Sequence, residues 1–239
     1  MIDRLDAVLD HVAIAVPDWE QAQQRWKDEL GGGVVAYGTG SGFSSRQLRY
    51  ANGAKLELLS PPPNPGPDNF VQRFLDRFGA AVHHVTLKVP DLGQAIDTLR
   101  HADLEVVDVR MDSDHWREAF LRPSAVGGIV VQVAWSLGSD EDWARRIGHT
   151  PQPPRADAIE LYGPVLAHPD LDQAAALWTT LGAQVAQVDQ GLLCSWPRSP
   201  LTVRIEPGPK AASLGLRASV PKMVPIDQAR GPELRPFTP

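Results

Sequence analysis

The sequence contains an internal repeat, and this repeat limits the folds that the chain can adopt. Residues 11–22 (HVAIAVPDWEQA) align with residues 84–95 (HVTLKVPDLGQA), and seven of the twelve positions are identical. In each copy a stretch of alternating character ends at Pro-Asp, and an amphipathic segment follows it. Because Asp is a favoured helix N-cap, each copy predicts a β-strand and then a helix, the first over residues 19–30.

A second pair of matching segments closes each copy. Residues 52–58 align with residues 127–133, and each segment follows another strand-like stretch, which predicts a hairpin. Room for one more strand remains near residues 33–38 in the first copy and near residues 105–111 in the second. The repeat therefore predicts two βαβββ modules, over residues 6–62 and 80–135, within a domain of residues 1–135.

Weaker copies of the module follow in the second half of the chain. Residues 161–174 align with the segment that begins at Leu9, and Trp178 then falls on Trp26. Strands near residues 192–196 and 201–206 complete a third module, and residues 214–221 resemble the first strand of a fourth. We expect an α+β fold of paired βαβββ modules forming a cup, then a linker over residues 136–155. Residues 156–239 are predicted to be a degenerate third module, a partial fourth module and an extended tail.

Composition excludes several partners. The net charge of -6 is spread along the chain without a basic run that would follow a phosphate backbone, so nucleic acid is not an expected partner. No apolar stretch reaches the roughly 20 residues that span a bilayer, and no signal-like segment is evident, so we expect a cytoplasmic protein without membrane contact. The single cysteine, Cys194, means that any metal must rest on His, carboxylate or amide groups.

Four polar residues occupy repeat-related positions in the predicted strands. Alternation puts His11 and His84 on the face opposite their apolar neighbours, and it puts Glu57 and Gln132 between two apolar residues each. A lone His in a strand is more often a hydrogen-bonded structural residue than a ligand. Two histidines at one repeat position, joined by a carboxylate and an amide, indicate a metal site.

These segments resemble the vicinal oxygen chelate superfamily, which includes glyoxalases, bleomycin resistance proteins and extradiol dioxygenases, and within it the methylmalonyl-CoA epimerase branch. The resemblance rests on residues 9–16 (LDHVAIAV), 56–61 (LELLSP), 82–85 (VHHV) and 120–123 (FLRP) leading to a Gly-Gly pair. It implies one divalent ion, Co, Mn, Ni, Zn or Fe, held by one residue from each of four strands: His11, Glu57, His84 and Gln132. It also implies a small-molecule substrate with vicinal oxygens, acyl thioesters included.

Three functions remain open. The first is an epimerase, isomerase or glyoxalase-type lyase, in which the metal chelates two neighbouring oxygens and stabilises an enolate. The second is an extradiol-type dioxygenase, because two His and one Glu also form the facial triad of non-haem Fe(II) enzymes. The third is a sequestering protein like the drug-resistance members, although those are typically dimers of a short chain without a metal tetrad. The chain is expected to be a monomer or a homodimer.

The carboxylates depart from the epimerase pattern. That branch places a ligand carboxylate in the second module and a further catalytic Glu in the first, but here Gln132 stands at the former position and Ser45 near the latter. Under the repeat, Glu57 is the counterpart of Gln132 and Glu118 is the counterpart of Ser45. The hypothesis is that Glu118 and Glu57 serve as catalytic acid and base with the two halves exchanged. Its rival is that Glu118 is a solvated strand residue.

Three further polar residues lie in the predicted strands that carry the ligands or next to them: Arg46, Gln47 and His83. Arg46 and Gln47 lie on the strand next to Glu57, where alternation sends one of them inward. That residue is a candidate for contact with an anionic substrate, and the alternative is an exposed sheet face. His83 alternates with His84 and is expected to face the helix layer or the rim.

The second half of the chain lacks the ligand set. Gly163 stands where His11 would be, Gly215 where His84 would be, and Val203 where Glu57 would be. A second metal site is therefore not expected.

Overall fold

The first module has the predicted order of one strand, one helix and three strands. The computed structural model describes residues 4–40 and 42–237. The helix of this module continues into a π-helical turn at Gln24–Glu29, and the third and fourth strands form an antiparallel hairpin. The module consists of β1 (Val8–Ala15), α1 (Trp19–Gln23), β2 (Gly33–Gly40), β3 (Phe43–Arg49) and β4 (Lys55–Ser60).

The second module repeats this order after a helix that the repeat did not predict. That helix, α2 (Phe70–Phe78), begins where the side chain of Asn69 accepts a hydrogen bond from the Gln72 backbone. A short turn of helix also precedes the last strand of the module. The elements are β5 (Ala81–Lys88), α3 (Leu92–His101), β6 (Val106–Arg110), β7 (Trp116–Leu121), α4 (Pro123–Val126) and β8 (Val130–Ser136).

The linker and the second half also contain regular structure. The linker holds a helix, α5 (Asp140–Arg146), whose N-terminus has a capping box formed by Ser139 and Asp142. The third module is complete and the fourth is reduced to strands. These elements are β9 (Leu161–His168), α6 (Leu171–Thr180), β10 (Gln184–Val188), β11 (Gly191–Ser195), β12 (Thr202–Pro207), β13 (Ala212–Ala218) and β14 (Leu234–Pro236).

The same helix start recurs in all three complete modules. Asp18, Asp91 and Asp170 each have extended backbone, and each side chain accepts hydrogen bonds from backbone N–H groups of the first helical turn. In each complete module the last strand pairs with the first in parallel, and the helix leads from the first strand to the second, at the far end of the module's four strands. The predicted α+β class and the paired βαβββ modules are therefore confirmed.

The strands form two sheets. The eight-stranded sheet has the order β2-β3-β4-β1-β5-β8-β7-β6, and the six-stranded sheet has the order β10-β11-β12-β9-β13-β14. None of the helices among residues 4–40 and 42–237 is long and apolar enough to cross a membrane.

Contact density divides the chain into two compact units. The first comprises the N-terminal segment up to His11, His84–Leu137 and Gly163–Leu214, and its largest buried side chains include Trp178 and Trp196. The second comprises Val12–His83, Gly138–Tyr162 and the segment from Gly215 onward, with Trp26 and Tyr50 in its core. Whether residues 1–135 and 156–239 fold as separate domains stays a prediction.

Candidate metal centre

Strand register fixes which side chains share a face. Ala13 is the register partner of Glu57, and Thr86 is the register partner of Gln132. Because side chains two residues apart in a strand point to the same side, His11 shares a face with Ala13 and hence with Glu57. The same reasoning places His84 on the face of Thr86 and Gln132.

Three of the four expected ligands come together. One potential ligand atom from each of His11, Glu57 and His84 lies within 4.8 Å of the other two. The two imidazole rings are buried, with ring centroids 6.0 Å apart in an edge-on arrangement, and Glu57 is half-buried. Nitrogen and oxygen ligands sit about 2.1 Å from a bound transition metal, so two ligands of one ion are at most about 4.2 Å apart. The donor set and its spacing fit a single divalent ion after small side-chain adjustments.

Gln132 is joined to this group through Thr86. The hydroxyl of Thr86 donates to Gln132 Oε1 at 2.6 Å, and the same Oγ1 lies 3.0 Å from His11 Nε2. Gln132 Nε2 donates to Glu118 Oε2 at 2.7 Å, which identifies Oε1 as the acceptor end of the amide. A carbonyl oxygen has two lone pairs, so Oε1 can accept from Thr86 and still ligate a metal.

Glu118 lies on the same face as Gln132. Phe120 is the register partner of Gln132, and Glu118 is two residues before Phe120 on the same strand. Its Oε2 also accepts a hydrogen bond from Trp116 Nε1 at 2.8 Å, and its Oε1 pairs with Arg110 at 2.9 Å. The side chain is only 12% exposed, so Glu118 is not a solvated strand residue.

Arg46 and Gln47, the two residues expected to contact substrate, are neighbours on β3 and therefore point to opposite faces of the sheet. Gln47 is the register partner of Glu57 and shares its face. The guanidinium of Arg46 instead stacks 3.9 Å from the ring centroid of Trp19 on α1 and 4.8 Å from that of Tyr37. Burial lowers the pKa of Arg46. The structure thus brings Gln47, and not Arg46, to the face of the ligand group.

His83 packs against the unpredicted helix. Its ring makes edge-on contacts with Phe74 at 4.7 Å and Phe70 at 5.9 Å between centroids. Burial lowers the pKa of His83 to about 4, and the opposing charge of Glu57 raises it only partly. The ring is therefore neutral near pH 7 and belongs to the packing of α2.

Sequence reasoning assigned no role to several polar neighbours of the ligand group. Asp10 Oδ2 lies 2.8 Å from His11 Nδ1, and Asp10 Oδ1 lies 3.5 Å from Lys88 Nζ. Lys88 also lies over the indole of Trp116, 5.7 Å from the ring centroid. Thr86 and Lys88 lie two and four residues after His84 on the same strand. The alternation that predicts the face of His84 therefore predicts the same face for these two residues.

The second half carries different residues at the corresponding positions. Val165 corresponds to Ala13, and its register partner is Arg204, so Arg204 and not Val203 is the structural counterpart of Glu57. The sequence alignment was wrong by one residue here. Gly163 and Gly215, which the sequence alignment assigns to the positions of the two histidines, both have positive φ angles.

Residues 10–120 match the family described as Glyoxalase/Bleomycin resistance protein/Dioxygenase superfamily. The chain belongs to this superfamily. Methylmalonyl-CoA epimerase from Bos taurus is 31% identical over 130 residues, which are 52% of this chain and 72% of that protein. Ethylmalonyl-CoA/methylmalonyl-CoA epimerase from Cereibacter sphaeroides is 30% identical over 131 residues, again 52% of this chain but 95% of that protein.

A fold likeness extends over both halves. A hypothetical protein from Staphylococcus aureus is 12% identical and has a TM-score of 0.64, and the match covers 97% of this chain and 100% of that chain. The four-module arrangement therefore recurs in another solved structure. The two epimerases, in contrast, align with only about half of this chain.

Proposed function

We propose that the chain is a metal-dependent epimerase or isomerase that moves a proton on the carbon next to a carbonyl group. The observation that carries the proposal is the cluster of His11, Glu57 and His84, with ligand atoms within 4.8 Å, next to a carboxylate held by Gln132. A divalent ion bound there would chelate two neighbouring substrate oxygens and lower the energy of enolate charge. The residues that would hold it are His11, Glu57, His84 and Gln132.

Glu118 is the residue that we assign to proton transfer. Gln132 and Trp116 both donate to Oε2, so the carboxylate has a fixed orientation. Oε1 pairs with the exposed guanidinium of Arg110, which a substrate would displace to reach this oxygen. A carboxylate base takes the proton from the carbon, and the electron pair moves into the carbonyl as enolate. Return of a proton to the opposite face inverts the centre. Glu57, in the first module, is the second carboxyl group: it would return the proton as the acid and be left as the carboxylate.

The relatives support one substrate class. The two epimerases of Bos taurus and Cereibacter sphaeroides are named for methylmalonyl-CoA and ethylmalonyl-CoA, which are acyl thioesters with a second carbonyl function. We extend this class to the present chain and take a branched malonyl thioester as the first substrate to test. Gln47, which faces the side of Glu57, is available to contact its polar groups.

The test is solvent-deuterium exchange. The full chain, stripped of metal and reloaded with Co²⁺, is mixed with methylmalonyl-CoA in D₂O, and deuterium incorporation is compared with that of Glu118→Gln. We expect exchange in the wild type and a loss of about 10²-fold or more in the variant. Glu105→Gln removes an exposed carboxylate next to strand β6 and is the control. Undiminished exchange in Glu118→Gln with metal still bound removes Glu118 as the base.

A dioxygenase is the second candidate, and the identity of the donors favours it. Two histidines and one carboxylate are the ligand set of non-haem Fe(II) oxygenases, with the remaining positions open to substrate and oxygen. In this case Gln132 holds Glu118 and does not bind the ion. Loading with Fe²⁺ and measuring oxygen uptake with a catechol distinguishes the two, because proton transfer consumes no oxygen.

A further inference from the structure

The two histidines of the ligand group have different neighbours, although they stand at equivalent repeat positions. Asp10 precedes His11, and His83 precedes His84. Asp10 Oδ2 lies 2.8 Å from Nδ1 of the imidazole that follows it, with a side chain only 12% exposed. His83 instead packs against the aromatic residues of α2. The residue before His11 is thus a carboxylate, whereas the residue before His84 is an imidazole.

A carboxylate next to one ring nitrogen determines which nitrogen carries the proton. An ionised Asp accepts hydrogen bonds and cannot donate them, so Nδ1 of His11 must be protonated to bond with Asp10. In a neutral imidazole the other nitrogen, Nε2, then keeps the lone pair. Nε2 lies 3.0 Å from Thr86 Oγ1, but Thr86 has a single hydroxyl proton and directs it to Gln132 Oε1 at 2.6 Å, so this proton is not needed at Nε2. A metal can therefore replace Thr86 at Nε2 while Thr86 donates to Gln132.

Asp10 is itself held in place. Its second oxygen, Oδ1, lies 3.5 Å from Lys88 Nζ, and the ammonium lies over the ring of Trp116. Lys88 is 25% exposed, so this pair lies in a partly desolvated position where the attraction is screened less than on the surface. The carboxylate thus has one oxygen on the histidine and one on the lysine.

We propose that Asp10 is a positioning residue for His11, which fixes the imidazole with Nδ1 protonated and Nε2 directed to the metal. This proposal rests on the proposed metal-dependent function. Outer carboxylates of this kind typically change metal affinity by 10–100-fold. Lys88 keeps Asp10 in the orientation that this task requires.

The first measurement uses the metal-free full chain. Imidazole ¹⁵N shifts of His11 are recorded at about pH 8.5, above the usual histidine pKa, in the wild type and in Asp10→Ala. We expect Nδ1 protonation in the wild type and a shift towards the Nε2-protonated form in the variant. Asp6→Asn removes an exposed carboxylate in the same segment and should leave the shifts unchanged. An unchanged tautomer in Asp10→Ala overturns the proposal whether or not the wild type binds metal.

The second measurement separates positioning from charge. Co²⁺ affinity is measured for Asp10→Ala, Lys88→Met and the double variant, because removing Asp10 alone also leaves the lysine charge uncompensated. If Asp10 positions His11, the Co²⁺ affinity of Asp10→Ala should be about 10–100-fold lower than that of the wild type. The affinity of the double variant should then be lower than that of Lys88→Met by a similar factor. Wild-type affinity in the double variant would mean that only charge mattered and would overturn the role of Asp10. A wild type that binds no Co²⁺ contradicts the proposed function, and the tautomer result still decides the orientation of His11.

Discussion

The indole Nε1 of Trp26 donates a 2.6 Å hydrogen bond to the backbone carbonyl of Arg230, 204 residues further along the chain. Arg25, next to it and 3% exposed, donates to the carbonyls of Pro232 at 3.2 Å and Gly231 at 3.5 Å. The C-terminal segment therefore satisfies the buried polar groups of the first helix.

Gly231→Ala should destabilise the protein strongly. Gly231 has a φ of +134°, and a Cβ built there would lie 2.9 Å from Trp26 Nε1 and 3.1 Å from a methyl group of Ile14. Backbone strain of about 1–2 kcal/mol adds to an overpacking cost of similar size, so we expect a loss of about 3 kcal/mol in the free energy of unfolding. Chemical denaturation measures it.

Gly53→Ala is the matched control, since Gly53 has a φ of +83° but nothing within 4 Å of the added Cβ. It should cost only the strain, about 1 kcal/mol. Equal losses in the two variants would show that the contact with Trp26 and Ile14 is not tight.

Removing residues 222–239 should destabilise the rest of the chain, because the truncation removes β14 with its buried Leu234 and also the carbonyl groups that accept hydrogen bonds from Arg25. Uncompensated buried charges typically cost about 3–5 kcal/mol. The substitution Arg25→Met in the truncated chain should recover part of the loss, because an apolar side chain of similar length needs no acceptor. A truncated chain as stable as the full one, measured by thermal unfolding, would mean that water replaces the tail.

The modules could be predicted because their information is repeated. Strand alternation, Pro-Asp caps and the hairpins occur at least twice each, so one copy confirms the other. Helix α2 has no counterpart in the repeat and follows a Pro-rich stretch, which concealed it. Its signal was the spacing of Phe70, Phe74 and Phe78, four residues apart as on one helix face.

The parts of the site that could not be predicted depended on register and on contacts. Alternation put His11 and His84 on one face, but whether Arg46 or Gln47 faced inward required the β3 to β4 pairing. A slip of one residue in strand pairing reverses the face of every side chain. For the same reason the sequence alignment puts Val203 at the position of Glu57, whereas the strand pairing puts Arg204 there. The contact between Asp10 and His11 depends on side-chain geometry that no spacing in the sequence reveals.

Lys55→Met should lower stability through Asp140. Lys55 Nζ lies 2.8 Å and 3.0 Å from the two oxygens of Asp140, which also pairs with Arg49 at 2.9 Å. Lys55 is 9% exposed and Asp140 23%, so we discount the cost of breaking a fully buried pair to about 2 kcal/mol. Asp68→Asn, which removes an exposed partner of Arg73, is the control and should change nothing measurable in thermal unfolding. No effect of Lys55→Met would show that α5 is held by other contacts.

Cys194 should resist thiol reagents in the native protein. Its side chain is fully buried, and burial raises the thiol pKa to about 12, so almost no thiolate exists near neutral pH. We expect no reaction with a disulfide reagent until denaturant is added, and then one thiol per chain. Reaction at the rate of an exposed cysteine without denaturant would show that β11 opens readily.

His11→Ala and His84→Ala should each lose the bound metal, because each removes one of the nitrogen donors in a cluster whose ligand atoms lie within 4.8 Å of one another. Metal analysis of protein purified without chelator measures this, and the wild type should hold one ion per chain.

His83→Phe is the closest control, since His83 adjoins a ligand but packs against Phe70 and Phe74, where another aromatic ring can replace it. It should keep its metal. Full metal content in both alanine variants would remove the cluster as the binding site. Loss in His83→Phe alone would move the ligand role from His84 to its neighbour. Two ions per wild-type chain would place a second site among the residues of the other half, where Gly163, Arg204 and Gly215 replace the donors.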